Sequence, residues 1–151
     1  MSHPISAVNK HPRLAQRAAF IAWSHEQVRW SDTDLVGHVN NLSFAAYLET
    51  GRSLFLREFV EKDSPRRAMM LPAQMVLNFY REAHWPDVVD IGTAVLSLGN
   101  TSCRVGQGLF VGDHCIATSE ATLVLIDEHT RQPITLYPWL RDWLGQRMLI
   151  E

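Results

Sequence analysis

Apolar positions along this chain follow two periods, first helical and then alternating. Phe44, Leu48, Gly51, Phe55 and Phe59 recur at steps of four, three, four and four residues, which lines one side of an α-helix. Ala45, Tyr47, Leu54 and Val60 widen the stripe over most of the circumference, so the helix needs a large apolar partner around it. Asn40 or Asn41 supplies the N-cap, without a Glu or Gln at the capping-box position. The cluster Lys62-Asp63-Ser64-Pro65 ends the helix, because Pro65 has no amide hydrogen to continue it.

Alternation takes over from there. Over residues 69–82 the pattern places Met69, Leu71, Ala73, Met75, Leu77 and Phe79 on one face of a strand, with Pro72 near an edge or bulge. Further strands follow at Val88–Leu98, Ser102–Val111 and His114–Asp127, separated by the hairpin Gly99-Asn100-Thr101 and the two-residue turn Gly112-Asp113. His84-Trp85-Pro86-Asp87 and His129-Thr130-Arg131 read as turns. Ahead of the helix, residues 25–31 suit a strand with Val28 and Trp30 on one face. Pro138 opens a short amphipathic segment with Leu140, Trp143, Leu144 and Met148 on one side.

One strand, one long helix and four long antiparallel strands make an α+β domain, an antiparallel sheet of about five strands around a single central helix. Its bounds are residues 21–138, preceded by a tail over 1–20 and followed by the amphipathic segment 139–151. Within the tail, a helical turn over Leu14–Phe20 is compatible with the pattern but not required by it.

Composition narrows the function classes. With 46% hydrophobic residues in 151, one domain can bury a sizeable core. A net charge of −2 gives no electrostatic case for nucleic acid or a membrane surface. No apolar run approaches the roughly 20 residues of a membrane span, and the first residues lack a signal-peptide pattern. The two cysteines, Cys103 and Cys115, form no CxxC pair and read as small buried hydrophobes in a reducing compartment. A soluble, cytoplasmic protein is expected. The seven histidines show neither HxH nor HExxH spacing, so no metal site is expected.

Candidate chemistry concentrates in residues 29–52. Asp32, Asp34, Gly37, His38, Asn40 and Asn41 crowd a turn just ahead of the buried helix, where polar groups are costly unless used or well hydrogen-bonded. A carboxylate beside a helix N-terminus can activate water or attack a carbonyl, and the free N–H groups of that helix can bind the oxyanion. Gly37 suits a turn with positive φ or a close approach by substrate. Asp32, two residues before Asp34, is expected to bond the local turn rather than to act in catalysis.

The run D-T-D-L-V-G-H-V-N-N followed by Y-L-E-T-G-R resembles the signature of hotdog-fold acyl-CoA thioesterases, and more narrowly that of the 4-hydroxybenzoyl-CoA thioesterase-like family. Two later stretches agree: W-P-D and L-G-N-T-S within residues 80–102, and D-E-H-T-R-Q-P-I at residues 127–134. Together the motifs cover residues 25–137 in family order. The resemblance implies a hotdog fold and hydrolysis of an acyl-CoA thioester to free acid and CoA. It puts the catalytic carboxylate on Asp34, as general base or nucleophile, and the polarising backbone N–H on Asn41. Read as residues, Gly37, His38 and Asn40 are the candidates for substrate contact, and the resemblance puts the pantetheine arm of CoA on Asn100, Thr101 and Ser102. No cofactor is implied beyond the CoA of the substrate, and a homodimer or homotetramer is expected, with CoA at the dimer interface. Arg81 and Arg104 are candidates for its phosphates, Phe44, Tyr47 and Met75 for the acyl pocket. Glu49 is a backup base, explained more cheaply by a local ion pair with Arg52. An acyl carrier protein thioesterase and a non-catalytic acyl-CoA or lipid-binding hotdog module are the alternative functions.

Overall fold

The computed structural model describes residues 11–63 and 65–151. Five antiparallel strands form one sheet in the order β1 (Ala22–Gln27), β3 (Val88–Leu98), β4 (Ser102–Val111), β5 (His114–Asp127) and β2 (Ala68–Phe79). The long helix α1 (Asn41–Lys62) lies against one face of that sheet, and α2 (Pro138–Gly145) packs beside its C-terminal half. This is the α+β hotdog architecture. No helix among the described residues is long and apolar enough to cross a membrane.

Helix and sheet meet without a gap at Gly51, where a Cβ would lie 2.5 Å from Ile91 Cγ2 and 2.8 Å from Gln107 Nε2. Either side of that contact the core divides. Phe44, Tyr47 and Leu48 pack with Val89, Ile91, Leu109, Ile116 and Ala117 toward the N-terminal end of α1. Leu56 and Phe59 pack with Val95, Val105, Leu123, Leu125 and the α2 residues Leu140 and Leu144 toward the other end. Burying such side chains contributes about 1.5–3 kcal/mol each. Gln107 is a polar residue buried inside this core, and it donates to Leu48 O at 3.0 Å and Thr93 Oγ1 at 3.1 Å. Of the expected stripe, Leu54 and Val60 are about half exposed, because the sheet covers one side of the helix and α2 only part of another.

Four sequence expectations need correction. The first strand is Ala22–Gln27, earlier than 25–31, because the Arg29 N–H donates to Asp32 Oδ2 and closes a 3-10 turn over Trp30–Asp32. Val28 is buried but Trp30 is exposed, so they share no face. In β2 the face expected for residues 69–79 is split, since the register shifts between Pro72 and Gln74. Met70 and Pro72 pair with Leu125 and Leu123, whereas Met75, Leu77 and Phe79 pair with Ala121, Ser119 and Ala117. All five β5 partners lie on one face, so even positions face α1 before the bulge and odd positions after it. Met69 and Leu71 therefore point away from the helix.

Third, Met148 is not on the α2 face. The helix stops at Gly145 and Met148 forms a parallel bridge to Val95, leaving Leu149 as the buried residue. Fourth, residues 12–20 are not a loose tail, and the part of that expectation on residues 1–10 lies outside the described residues. From Pro12 onward two 3-10 turns, Pro12–Ala15 and Arg17–Ala19, set Leu14, Ala19 and Phe20 against Ala94 and Phe110 on the sheet face opposite α1.

Candidate active site

The turn ahead of α1 is built around one carboxylate oxygen. Asp34 Oδ1 accepts the N–H of Val36 at 2.9 Å and of His38 at 3.1 Å, while the Asp34 N–H donates to His38 O at 2.8 Å. Gly37 has φ +82° with nothing near a would-be Cβ, so backbone conformation alone requires glycine there. Asp34 Oδ2 makes no hydrogen bond among the described residues, and the side chain is solvent-exposed.

Asn40 is the N-cap of α1, its side chain accepting the Ser43 N–H at 2.8 Å. Asn41 is then the first helical residue, and helix geometry leaves its N–H without an intrahelical acceptor. Asp32 ties the turn down: it accepts Arg29 N–H and the Tyr47 hydroxyl, and its carbonyl accepts the Asn40 N–H at 2.8 Å. Asp32 thus does the structural work expected of it. Burial pushes its carboxyl up, but the bonds from Tyr47 and Arg29 outweigh that and hold it below the ordinary carboxylate range.

Asp34, His38 and Asn41 open into one groove of about 630 Å³, whose far wall is Phe44, Phe79, Tyr80 and Arg81. A carboxylate, a helix N-terminus and the apolar rings of Phe44 and Phe79 therefore share one open groove. Phe44 and Phe79 meet edge-on with ring centroids 5.3 Å apart. Of the expected acyl-pocket residues only Phe44 lines it. Tyr47 is committed to Asp32, and Met75 contacts Arg52.

Elsewhere the expected residues separate. Asn100, Thr101 and Ser102 form the β3–β4 hairpin, at the end of β3 opposite Val88 and the groove. Their carbonyls accept the N–H groups of Leu136, Leu125 and Gly99. Arg104 pairs with Glu120 at 2.9 Å, away from the groove, whereas Arg81 lines it. The expected Glu49–Arg52 ion pair does not form. Arg52 turns to Gln107 Oε1 at 3.2 Å, and burial lowers its pKa while the Glu49 charge opposes that shift.

A further cluster escaped the sequence reading. His38 and His84 are opposed in an isolated antiparallel bridge, and His38 Nε2 lies 3.2 Å from Glu82 Oε2. The ligand atoms of His38, Glu82 and His84 all fall within 4.8 Å of one another. The signal was there as E-x-H on an extended segment, with its partner supplied by the distant turn.

A family model described as the thioesterase-like superfamily matches residues 28–144. The chain belongs to that superfamily. Among solved structures, this thioesterase-like domain is similar to the PA5185 protein of Pseudomonas aeruginosa strain PAO1. They share 23% identity over 89% of this chain and 96% of the other, with a TM-score of 0.81. YbaW, a probable thioesterase from Escherichia coli, is also 23% identical, over 85% of this chain and 99% of its own, with a TM-score of 0.76. A thioesterase from Thermus thermophilus, complexed with coenzyme A and zinc, matches at 23% identity, over 85% of this chain and 95% of its own, with a TM-score of 0.75. No curated protein matches the chain.

Proposed function

We propose that this superfamily member is an acyl-CoA thioesterase, hydrolysing a thioester to a free acid and CoA. One observation carries the proposal: Asp34 and the N-terminus of α1 at Asn41 open into the same groove beside the apolar wall of Phe44 and Phe79. The thioester carbonyl oxygen takes the Asn41 N–H, where the helix dipole favours the developing negative charge. Asp34 removes a proton from water as the water oxygen bonds to the carbonyl carbon, or attacks that carbon itself to give an anhydride that water then opens. In either route the tetrahedral intermediate breaks its C–S bond and releases the CoA thiolate, which takes up a proton: the one Asp34 drew from water in the first route, one from solvent in the second. Gly37, His38 and Asn40 hold the wall around the thioester.

Two copies pair through β2 in this reading. That strand is one edge of the sheet, and its Leu71, Met75 and Phe79 are exposed. An antiparallel pairing of β2 with β2 brings the Ala68 end of one copy toward the Phe79 end of the other. Ser102 pairs with Val124, and Val124 with Leu71, so the partner's hairpin arrives on the groove side. That is how residues 100–102 serve the CoA arm from across an interface, in a dimer or dimer of dimers. Cys103 and Cys115 are free, with burial pushing the thiols up to about 12 and about 11, which suits inert core residues in a reducing cytoplasm.

Free-thiol release from a panel of acyl-CoA thioesters, with wild type and Asp34→Asn, tests the proposal. Wild type is expected to turn over at least one member, with kcat reduced about 10²–10⁴-fold in the variant. Hydrolysis of none by wild type, or equal rates for both proteins, overturns it. Sedimentation of the active species tests the pairing: full activity in a monomer rules it out.

A further inference from the structure

We propose that His38, Glu82 and His84 form a binding site for one divalent transition-metal ion of the zinc type, at the edge of the groove that Asp34 lines. The backbone builds the site. Val39 N–H donates to Ala83 O at 2.8 Å, and His38 stands opposite His84 in the same short bridge. Directly opposed residues of an antiparallel pair point to one side, and so do residues two apart on an extended chain. His38, His84 and Glu82 therefore share a face, with the two imidazoles edge to face at 5.0 Å between centroids.

Both imidazoles converge on a single carboxylate oxygen. His38 Nε2 and His84 Nε2 lie 3.2 and 3.9 Å from the same Glu82 Oε2. A tetrahedral ion with bonds of about 2.0–2.1 Å holds its donors roughly 3.3–3.5 Å apart. With all three donor atoms already within 4.8 Å of one another, side-chain rotation brings them to that spacing, and the side chains have room to rotate, being from one-third to nearly two-thirds exposed. Two imidazoles with one carboxylate select zinc and its neighbours over magnesium or calcium, which prefer all-oxygen sites. Three protein donors leave a fourth position open to water or an incoming ligand.

The proposal does not depend on the thioesterase reading, because its test needs no substrate. Calorimetric titration of the metal-stripped, untagged full chain with zinc chloride is expected to show one ion per chain. His84→Ala and Glu82→Gln should each weaken binding by at least about tenfold, the scale on which even outer-shell partners matter. His129→Ala, at a distant exposed turn, should leave binding unchanged, and excess magnesium should not compete. Because Glu82 and His84 are exposed, melting curves of both variants should match wild type, separating ligand loss from unfolding. Absence of zinc binding, affinity unaltered in both variants, or equal competition by magnesium overturns the site.

Discussion

The Tyr47 hydroxyl donates to Asp32 Oδ2 across 2.6 Å, joining the second turn of α1 to the loop that carries Asp34. The same carboxylate closes the Trp30–Asp32 turn, and the Asp32 carbonyl holds the Asn40 N-cap amide. Three pieces of chain that set the groove thus converge on one residue. Burial, then the bond to Asp32, raises the Tyr47 pKa well above its ordinary 10.0, just as the net shift of Asp32 is below its ordinary 3.8.

Tyr47→Phe tests that junction. A hydrogen bond to a charged group is worth about 1.5–3 kcal/mol, so urea unfolding at neutral pH should show a loss of that order. The two limbs of the pH profile have opposite signs. A raised folded pKa, as for Tyr47, gives stability present below about pH 10 and lost as pH climbs through the folded value. A lowered one, as for Asp32, gives stability present above the unfolded carboxylate pKa and lost as pH falls through the folded value. In Tyr47→Phe the alkaline loss should flatten, and the acid loss should shrink as the folded Asp32 pKa moves back toward its unfolded value. Unchanged limbs would show that the contact does not exist in solution.

Asp34 has two jobs that different substitutions separate. In Asp34→Asn the side-chain oxygen can still accept the Val36 and His38 amides, so the melting temperature should stay close to wild type while turnover collapses. Asp34→Ala removes both acceptors and should also cost about 1–3 kcal/mol of stability. Equal destabilisation by the two variants would mean that the charge, not the acceptor, holds the turn.

Periodicity made α1 legible up to the choice of cap at Asn40 or Asn41 and the stop cluster at 62–65, and three strands to the residue, since Val88–Leu98, Ser102–Val111 and His114–Asp127 are bounded by turn residues with strong local preferences. It failed where one non-local contact overrides the pattern. The bulge after Pro72 inverts which residues of β2 face the helix, and alternation alone cannot locate an inserted residue. Trp30 left the strand because Asp32 folds back on Arg29. At the groove, Asp34, His38 and Asn41 were legible because they share one local motif. Glu82 and His84 were not, because what makes them neighbours of His38 is a two-residue bridge across 46 positions of chain, the difference between 84 and 38.

Asn40 sets both stability and the proposed oxyanion donor. Asn40→Ala removes the acceptor for Ser43 N–H and should cost about 1 kcal/mol. Fraying of the first turn should lower kcat as well, because the Asn41 N–H is then less firmly aimed. Asn40→Asp keeps the cap and adds a charge that complements the helix dipole, so its melting temperature should hold or rise. Its kcat should nevertheless fall, since a fixed negative charge next to Asn41 repels the developing oxyanion. Thermal melts and steady-state rates of both variants check this; a kcat for Asn40→Asp at or above wild type would remove Asn41 from the oxyanion role.

Gly51 measures how closely α1 sits on the sheet. On propensity alone Gly51→Ala should stabilise the middle of a helix by about 1 kcal/mol. The added methyl would lie 2.5 Å from Ile91 Cγ2 and 2.8 Å from Gln107 Nε2, both fixed, the first by complete burial and the second by its bonds to Leu48 and Thr93. Neither can yield without moving the helix or breaking the Gln107 bonds, so overpacking of about 1–3 kcal/mol should exceed the propensity gain. The expected result is a lower unfolding midpoint in urea. A midpoint at or above wild type would mean that α1 rides further from β3 and β4 than Gly51 indicates.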